Sequence, residues 1–195
     1  NNGQSCIAAK RFIVEAPVAD AFERLFCAEM AALRVGDPMD RSTDVGPLAR
    51  EDLLAELEGQ VRRSVAQGAR LATGGHRLDR PGAFYAPTVL TGTGPGVAAF
   101  DEETFGPVAA LARARDAEHA VRLANASRFG LGASLWTDDR ELAHELAAQL
   151  EAGSVFVNGM VKSDPRLPFG GIKGSGFGRL NGREGLRACT TQKSV

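Results

Sequence analysis

A chain of 195 residues that is 44% hydrophobic, with 23 basic against 24 acidic side chains and a net charge of −1, holds enough apolar material for one substantial core and is not a disordered segment. The near balance of charge, with no long block of one sign, points away from nucleic acid and anionic membrane partners, and no stretch approaches the roughly 20 apolar residues of a spanning helix. Cysteines at positions 6, 27 and 189 have an odd count and no metal-ligand spacing, so free thiols in a reducing compartment, the cytoplasm, are expected, with no metal.

Taken in order, Asn1 to Gly3 are turn and cap formers, and Gln4 to Arg11 contain no Gly or Pro, which predicts a short helix starting near Gly3 with Cys6 in its first turn. Arg11 to Glu15 reads as a strand. A helix follows from Pro17, with Phe22, Leu25, Phe26, Met30 and Leu33 on one apolar stripe and Cys27 beside it as core filler. Residues 35 to 47 read as a surface loop, and Arg50 to Gln67 as a long helix closed by Gly68. Strands are expected at 70–75, 84–90, 108–114, 131–137 and 154–158, with helices at 116–127 and 138–151. Alternating strands and helices of these lengths imply βαβ units, and hence a three-layer α/β/α domain with a largely parallel sheet. The glycine-studded run 169–179 follows a proline-bearing loop, not a strand, and lacks a Gly-Lys-Ser/Thr ending, so it reads as a convoluted loop and not as a phosphate cradle.

Three segments carry chemistry. At a helix start Cys6 would meet unpaired amides and the positive end of the helix dipole, which favour a thiolate nucleophile; a cysteine that merely fills core is the alternative. Asp101-Glu102-Glu103-Thr104-Phe105-Gly106-Pro107 pairs two carboxylates with an aromatic, and is either a solvated turn or a ligand site. Val157 to Gly171 holds Lys162, Ser163, Arg166 and Phe169 in a proline-bounded loop. His76, His119 and His144 lie in loop or helical surface contexts and give no sign of serving as a base for Cys6, which disfavours a thiol protease.

Asn1-Asn2-Gly3-Gln4-Ser5-Cys6, Glu102-Glu103-Thr104-Phe105-Gly106-Pro107 and Pro168-Phe169-Gly170-Gly171 together resemble the aldehyde dehydrogenase superfamily, and the run Gly3 to Phe12 is most like its bacterial succinate-semialdehyde dehydrogenases. The resemblance implies Cys6 as nucleophile, Glu103 on the nicotinamide ribose hydroxyls, Phe105 beside the nicotinamide ring, Ser163 on the substrate carboxylate and Phe169 lining the pocket near the reacting carbon. It implies NAD or NADP as cofactor, bound mainly by a domain absent from this chain, a small aldehyde as substrate, and homo-oligomerisation of the intact enzyme. The chain opens without Met directly on the cysteine motif, so residues 1–195 are expected to form a single catalytic domain, a fragment of a longer enzyme. A CoA-acylating relative, and an isolated non-catalytic domain with a binding or assembly role, remain as alternatives.

Overall fold

The computed structural model describes residues 1–191, 193 and 194, and its packing divides into two compact units, residues 1–123 and 124–195. In the first unit the elements run β1 (Arg11–Glu15), α1 (Ala16–Ala32), α2 (Glu51–Ala66), β2 (Arg70–Thr73), β3 (Thr88–Thr91), α3 (Ala98–Asp101) and β4 (Val108–Ala114), after which α4 (Ala117–Asn125) runs past the boundary. The sheet order is β1-β4-β3-β2. β4 is parallel to β1, with Arg11 opposite Ala110, and to β3, with Thr88 opposite Val108; β2 joins antiparallel at the edge.

β4 explains the layering. Its residues are buried except Arg113, as expected of a strand covered on both faces. Side chains alternate across a strand, so Val108, Ala110 and Ala112 pack with Leu54, Leu57 and Val61 of α2 and Phe100 of α3. Ala109 and Leu111, with Val89, face the other way onto Phe12 and onto Phe22, Phe26, Cys27 and Met30 of α1. The result is the α/β/α sandwich with a largely parallel sheet that the sequence implies. Leu54 and Leu57 are 0% and 1% exposed, and burying such a side chain stabilises by roughly 1.5–3 kcal/mol.

The apolar stripe of α1 is narrower than its spacing predicts. Leu25 lies about 100° round the helix from the centre of the Phe22, Phe26 and Met30 row and is exposed, while Leu33 falls beyond the last turn. Pro17 sits in the first turn as expected. β3 starts at Thr88 and not at Phe84, because Pro87 has no N–H to give to a ladder; Phe84 and Tyr85 are buried in the preceding loop instead.

The second unit contains β5 (Phe129–Gly130), β6 (Ala133–Leu135), α5 (Arg140–Gln149), β7 (Val155–Val157), β8 (Ile172–Lys173) and α6 (Gly182–Ala188). β6 and β7 pair in parallel, and β5 and β8 antiparallel. α5 starts at Arg140, two residues later than expected, because Asp139 is its cap and accepts from the Glu141 and Leu142 amides at 3.0 Å. Neither the β5–β8 pair nor α6 is visible in the sequence pattern, since both are short and glycine-rich. Among the described residues no helix is long and apolar enough to cross a membrane.

Candidate active site

Cys6 is not in a helix. Residues 1–10 form turns, with Gln4 N–H donating to Asn1 O at 2.8 Å and Ala8 N–H to Ser5 O at 3.1 Å, before the chain enters β1. The local helix propensity loses to tertiary ties. Asn2 and Gly3 both take positive φ, 57° and 72°, outside the right-handed helical region. The Asn2 amide donates to the Gly46 carbonyl, while Gln4 donates through Nε2 to Pro47 O at 3.2 Å and accepts through Oε1 from Ala49 N–H at 2.8 Å. The thiol is exposed, as a nucleophile requires, and among the described residues the Cys6 amide donates to no acceptor. A free amide at the cysteine suits an oxyanion without any helix dipole.

Gly3 also brings the second motif to the first. A Cβ there would collide with the Gly106 carbonyl oxygen, and a Cβ at Gly106 would collide with Leu57, so the two glycines allow the cysteine turn to lie directly against Glu103-Thr104-Phe105-Gly106. The adjacent carboxylates diverge. Glu102 accepts from Arg63 Nη2 at 2.6 Å and from Gln60 Nε2 at 3.1 Å, which ties it to α2. Glu103 is left with Lys10, whose Nζ is 3.7 Å from Oε1, and 44% of its side chain is exposed. Thr104, which follows them, is fully buried, and Phe105 is partly exposed with Lys10 Nζ 5.4 Å from its ring centroid.

Lys10 is the functional-looking residue that the sequence does not announce. Beside Arg11 it reads as the basic end of a helix, yet its ammonium donates to Ser5 O at 2.9 Å and Ala8 O at 3.1 Å. Burial lowers its pKa, opposed by the charges of Glu103 and Cys6. A cation placed at the base of a cysteine turn, just ahead of a strand, is the pattern that could have revealed it.

Ser163 and Phe169 belong to the second unit. Ser163 is exposed on the loop after β7, and its Oγ accepts from Asn181 Nδ2 at 3.0 Å, which leaves the hydroxyl proton available. Phe169 exchanges two backbone hydrogen bonds of 2.7 Å with Leu180, and its side chain helps line a cavity of about 250 Å³ together with Phe156, Val157, Lys162, Asp164 and Leu167. Ser163 is not in that wall. Arg166 is engaged by Asp164 through Nε at 2.9 Å and Nη2 at 2.7 Å, and this fork holds the Asp164 carboxyl well below the usual carboxylate range. Of the two cations of this loop, only Lys162 has no hydrogen-bond partner among the described residues. Among the described residues no cluster of three or more His, Cys, Asp or Glu is placed to hold a metal ion.

A parallel α/β sandwich that presents an exposed cysteine turn against a carboxylate and an aromatic defines a class of proteins with a cysteine-centred site on an α/β scaffold. The profile of the aldehyde dehydrogenase family matches residues 1–195, and the chain belongs to that family. It is 51% identical over its whole length to a probable NADP(+) succinate-semialdehyde dehydrogenase of Synechocystis sp., of which it covers 43%. It is 53% identical over 98% of its length to a succinate semialdehyde dehydrogenase [NAD(P)+] of Escherichia coli, of which it covers 42%. The crystal structure of succinic semialdehyde dehydrogenase from Streptococcus pyogenes in complex with NADP+ superposes with a TM-score of 0.91 at 37% identity, over 95% of this chain and 41% of that one. The chain thus spans less than half the length of these relatives.

Proposed function

We propose that residues 1–195 are the catalytic domain, a fragment, of an NAD(P)-dependent aldehyde dehydrogenase that oxidises succinate semialdehyde or a similar small acid aldehyde. The observation that carries this reading is the apposition of an exposed Cys6 and a solvent-facing Glu103 and Phe105 in one unit, in a chain about half identical to succinate-semialdehyde dehydrogenases. Cys6 is the nucleophile: its thiolate forms a C–S bond to the aldehyde carbon, and the Cys6 amide donates to the resulting oxyanion. Bound NAD(P) supplies the acceptor for the hydride that leaves the thiohemiacetal carbon. Water then cleaves the Cys6 thioester, releasing the acid and restoring the thiol, with its general base drawn from outside this chain.

Glu103 fits the cofactor because its half-exposed carboxylate can accept both hydrogens of a ribose diol, and the exposed edge of Phe105 can shield the nicotinamide from water. Ser163 reads the distal carboxylate of the substrate, and Phe169 lines the pocket near the reacting carbon. The intact enzyme is a cytoplasmic homo-oligomer.

The test is Ser163→Ala in the complete enzyme. The contact is made equally in ground and transition states, so KM for succinate semialdehyde should rise with kcat nearly unchanged. A hydrogen bond to a charged group contributes roughly 1.5–3 kcal/mol, which corresponds to about a ten- to hundredfold loss in kcat/KM. Butanal, which has no distal oxygen, should be little affected. Equal losses on both aldehydes would mean that Ser163 shapes the loop and does not recognise the acid.

A further inference from the structure

We propose that Lys10 is a positioning residue that staples the Cys6 turn to the Glu103–Phe105 segment, so that the nucleophile and the cofactor-facing carboxylate are held as one unit. The inference rests on the reading of Cys6 and Glu103 given above.

An ammonium has three N–H donors and no acceptor. Two are spent on the carbonyls of Ser5 and Ala8, which flank Cys6 on either side along the chain. The third is left for Glu103 Oε1 at 3.7 Å, with the Phe105 ring centroid at 5.4 Å. The partners on one side therefore lie within two residues of Cys6, and those on the other are Glu103 and Phe105 themselves. The Lys10 side chain is only 13% exposed, whereas lysines rarely leave water unless they are paired. The two charged groups that act on it are Glu103 and Cys6, one from each segment it bridges.

The backbones of both segments are tied to the core, through Asn2 and Gln4 on one side and the Glu103 carbonyl, which accepts from Gln60 Nε2 at 3.1 Å, on the other; the side chain of Glu103 is not. The turn has no helix to hold it, and among the described residues the Glu103 side chain, unlike that of Glu102, has no hydrogen bond or ion pair to α2. Backbone packing of Gly3 on Gly106 brings the two together but does not fix the orientation of Cys6 or of the Glu103 carboxylate. A cation set between them does both.

The experiment compares this chain with its Lys10→Met and Lys10→Arg variants by amide hydrogen exchange and by the rate of Cys6 alkylation with iodoacetamide at neutral pH. Lys10→Met should speed exchange in residues 5–9 and 103–106 together by about tenfold, and slow alkylation of Cys6 by about three- to tenfold. Lys10→Arg, which keeps the charge, should recover most of both effects; a lysine that merely filled space would be replaced as well by Met as by Arg. Wild-type exchange at 103–106 in Lys10→Met, or Arg no better than Met, overturns the staple. If Lys10→Met does not fold, Glu103→Gln addresses the same link from the other end: it should loosen residues 5–9, and unchanged exchange there also overturns the proposal. The parent reading fails differently, by retained turnover in Cys6→Ala of the complete enzyme, a result that leaves the exchange outcome untouched.

Discussion

The segment around Cys6 is held by partners far away in sequence, whereas the loop around Ser163 is held by itself and by residues 180–182, less than twenty positions on. Asn2 and Gln4 reach residues 46 to 49, Lys10 reaches Glu103, and Gly3 lies on Gly106, which in turn rests on Leu57 of a fully buried helix face. In the other unit Asp164 binds Arg166 two residues on, Leu167 N–H donates to Asp164 O, and the longest tie of Ser163 is to Asn181, 18 positions away. A nucleophile built on the core inherits the rigidity of the core. A loop built on local hydrogen bonds can change its side chains, and so its ligand, without disturbing the sheet.

The largest expected effect breaks the first region at its tightest point. Gly3→Ala forces a side chain into positive φ and into the Gly106 carbonyl, so it should cost roughly 3 kcal/mol or more in urea unfolding and abolish Cys6 reactivity. Gly176 in the second unit also has positive φ, 109°, but opens on empty space, and Gly176→Ala there should cost only about 1 kcal/mol. Similar costs at the two sites would mean that the Gly3–Gly106 contact is slack.

A smaller effect sharpens the same contrast through packing. Leu57→Ala removes a side chain that is 1% exposed and supports Gly106, and should lower stability by about 2–5 kcal/mol. Leu167→Ala removes one that is 52% exposed beside the cavity, and should cost less than about 1 kcal/mol. Thermal or denaturant unfolding of the pair checks both, and equal losses would make the Ser163 loop a structural element in its own right.

What the sequence discloses follows the same division. The first unit is legible because its elements are long and periodic: the apolar run of β4, the Phe22 and Phe26 row of α1 and the Gly68 stop of α2 each follow from a local rule. The helix expected at Cys6 is absent because Asn2, Gln4 and Lys10 spend their hydrogen bonds on distant partners, which no window of ten residues reveals. Glu103 and Phe105 are found by motif, but the divergence of Glu102 toward Arg63 depends on where α2 lies. In the second unit β8 and α6 escape notice because glycines 170 to 182 carry no periodicity, and Arg166 looks like a free cation until Asp164 is seen to hold it.

The smallest effect concerns that last pair. The Asp164 carboxyl is held below the ordinary range first by the Arg166 guanidinium and then by the Arg166 amide, with Lys162 adding to it. A carboxyl whose folded pKa is depressed contributes stability above its unfolded value, about 3.9, and loses it as pH falls through the folded value. Any contribution from the pair is therefore present at pH 7 and at pH 5, and disappears only in strong acid. It should nonetheless be slight, because Arg166 is 83% exposed even though Asp164 is 11% exposed, so water and salt screen the fork from the arginine side. Arg166→Gln should shift Tm by about a degree or less at pH 7, with the difference shrinking further at high salt and below pH ~3. A shift of several degrees at pH 7 that persisted in high salt would show that the pair holds the Ser163 loop as firmly as the core holds Cys6, and the distinction between a core-borne nucleophile and a self-supported recognition loop would fail.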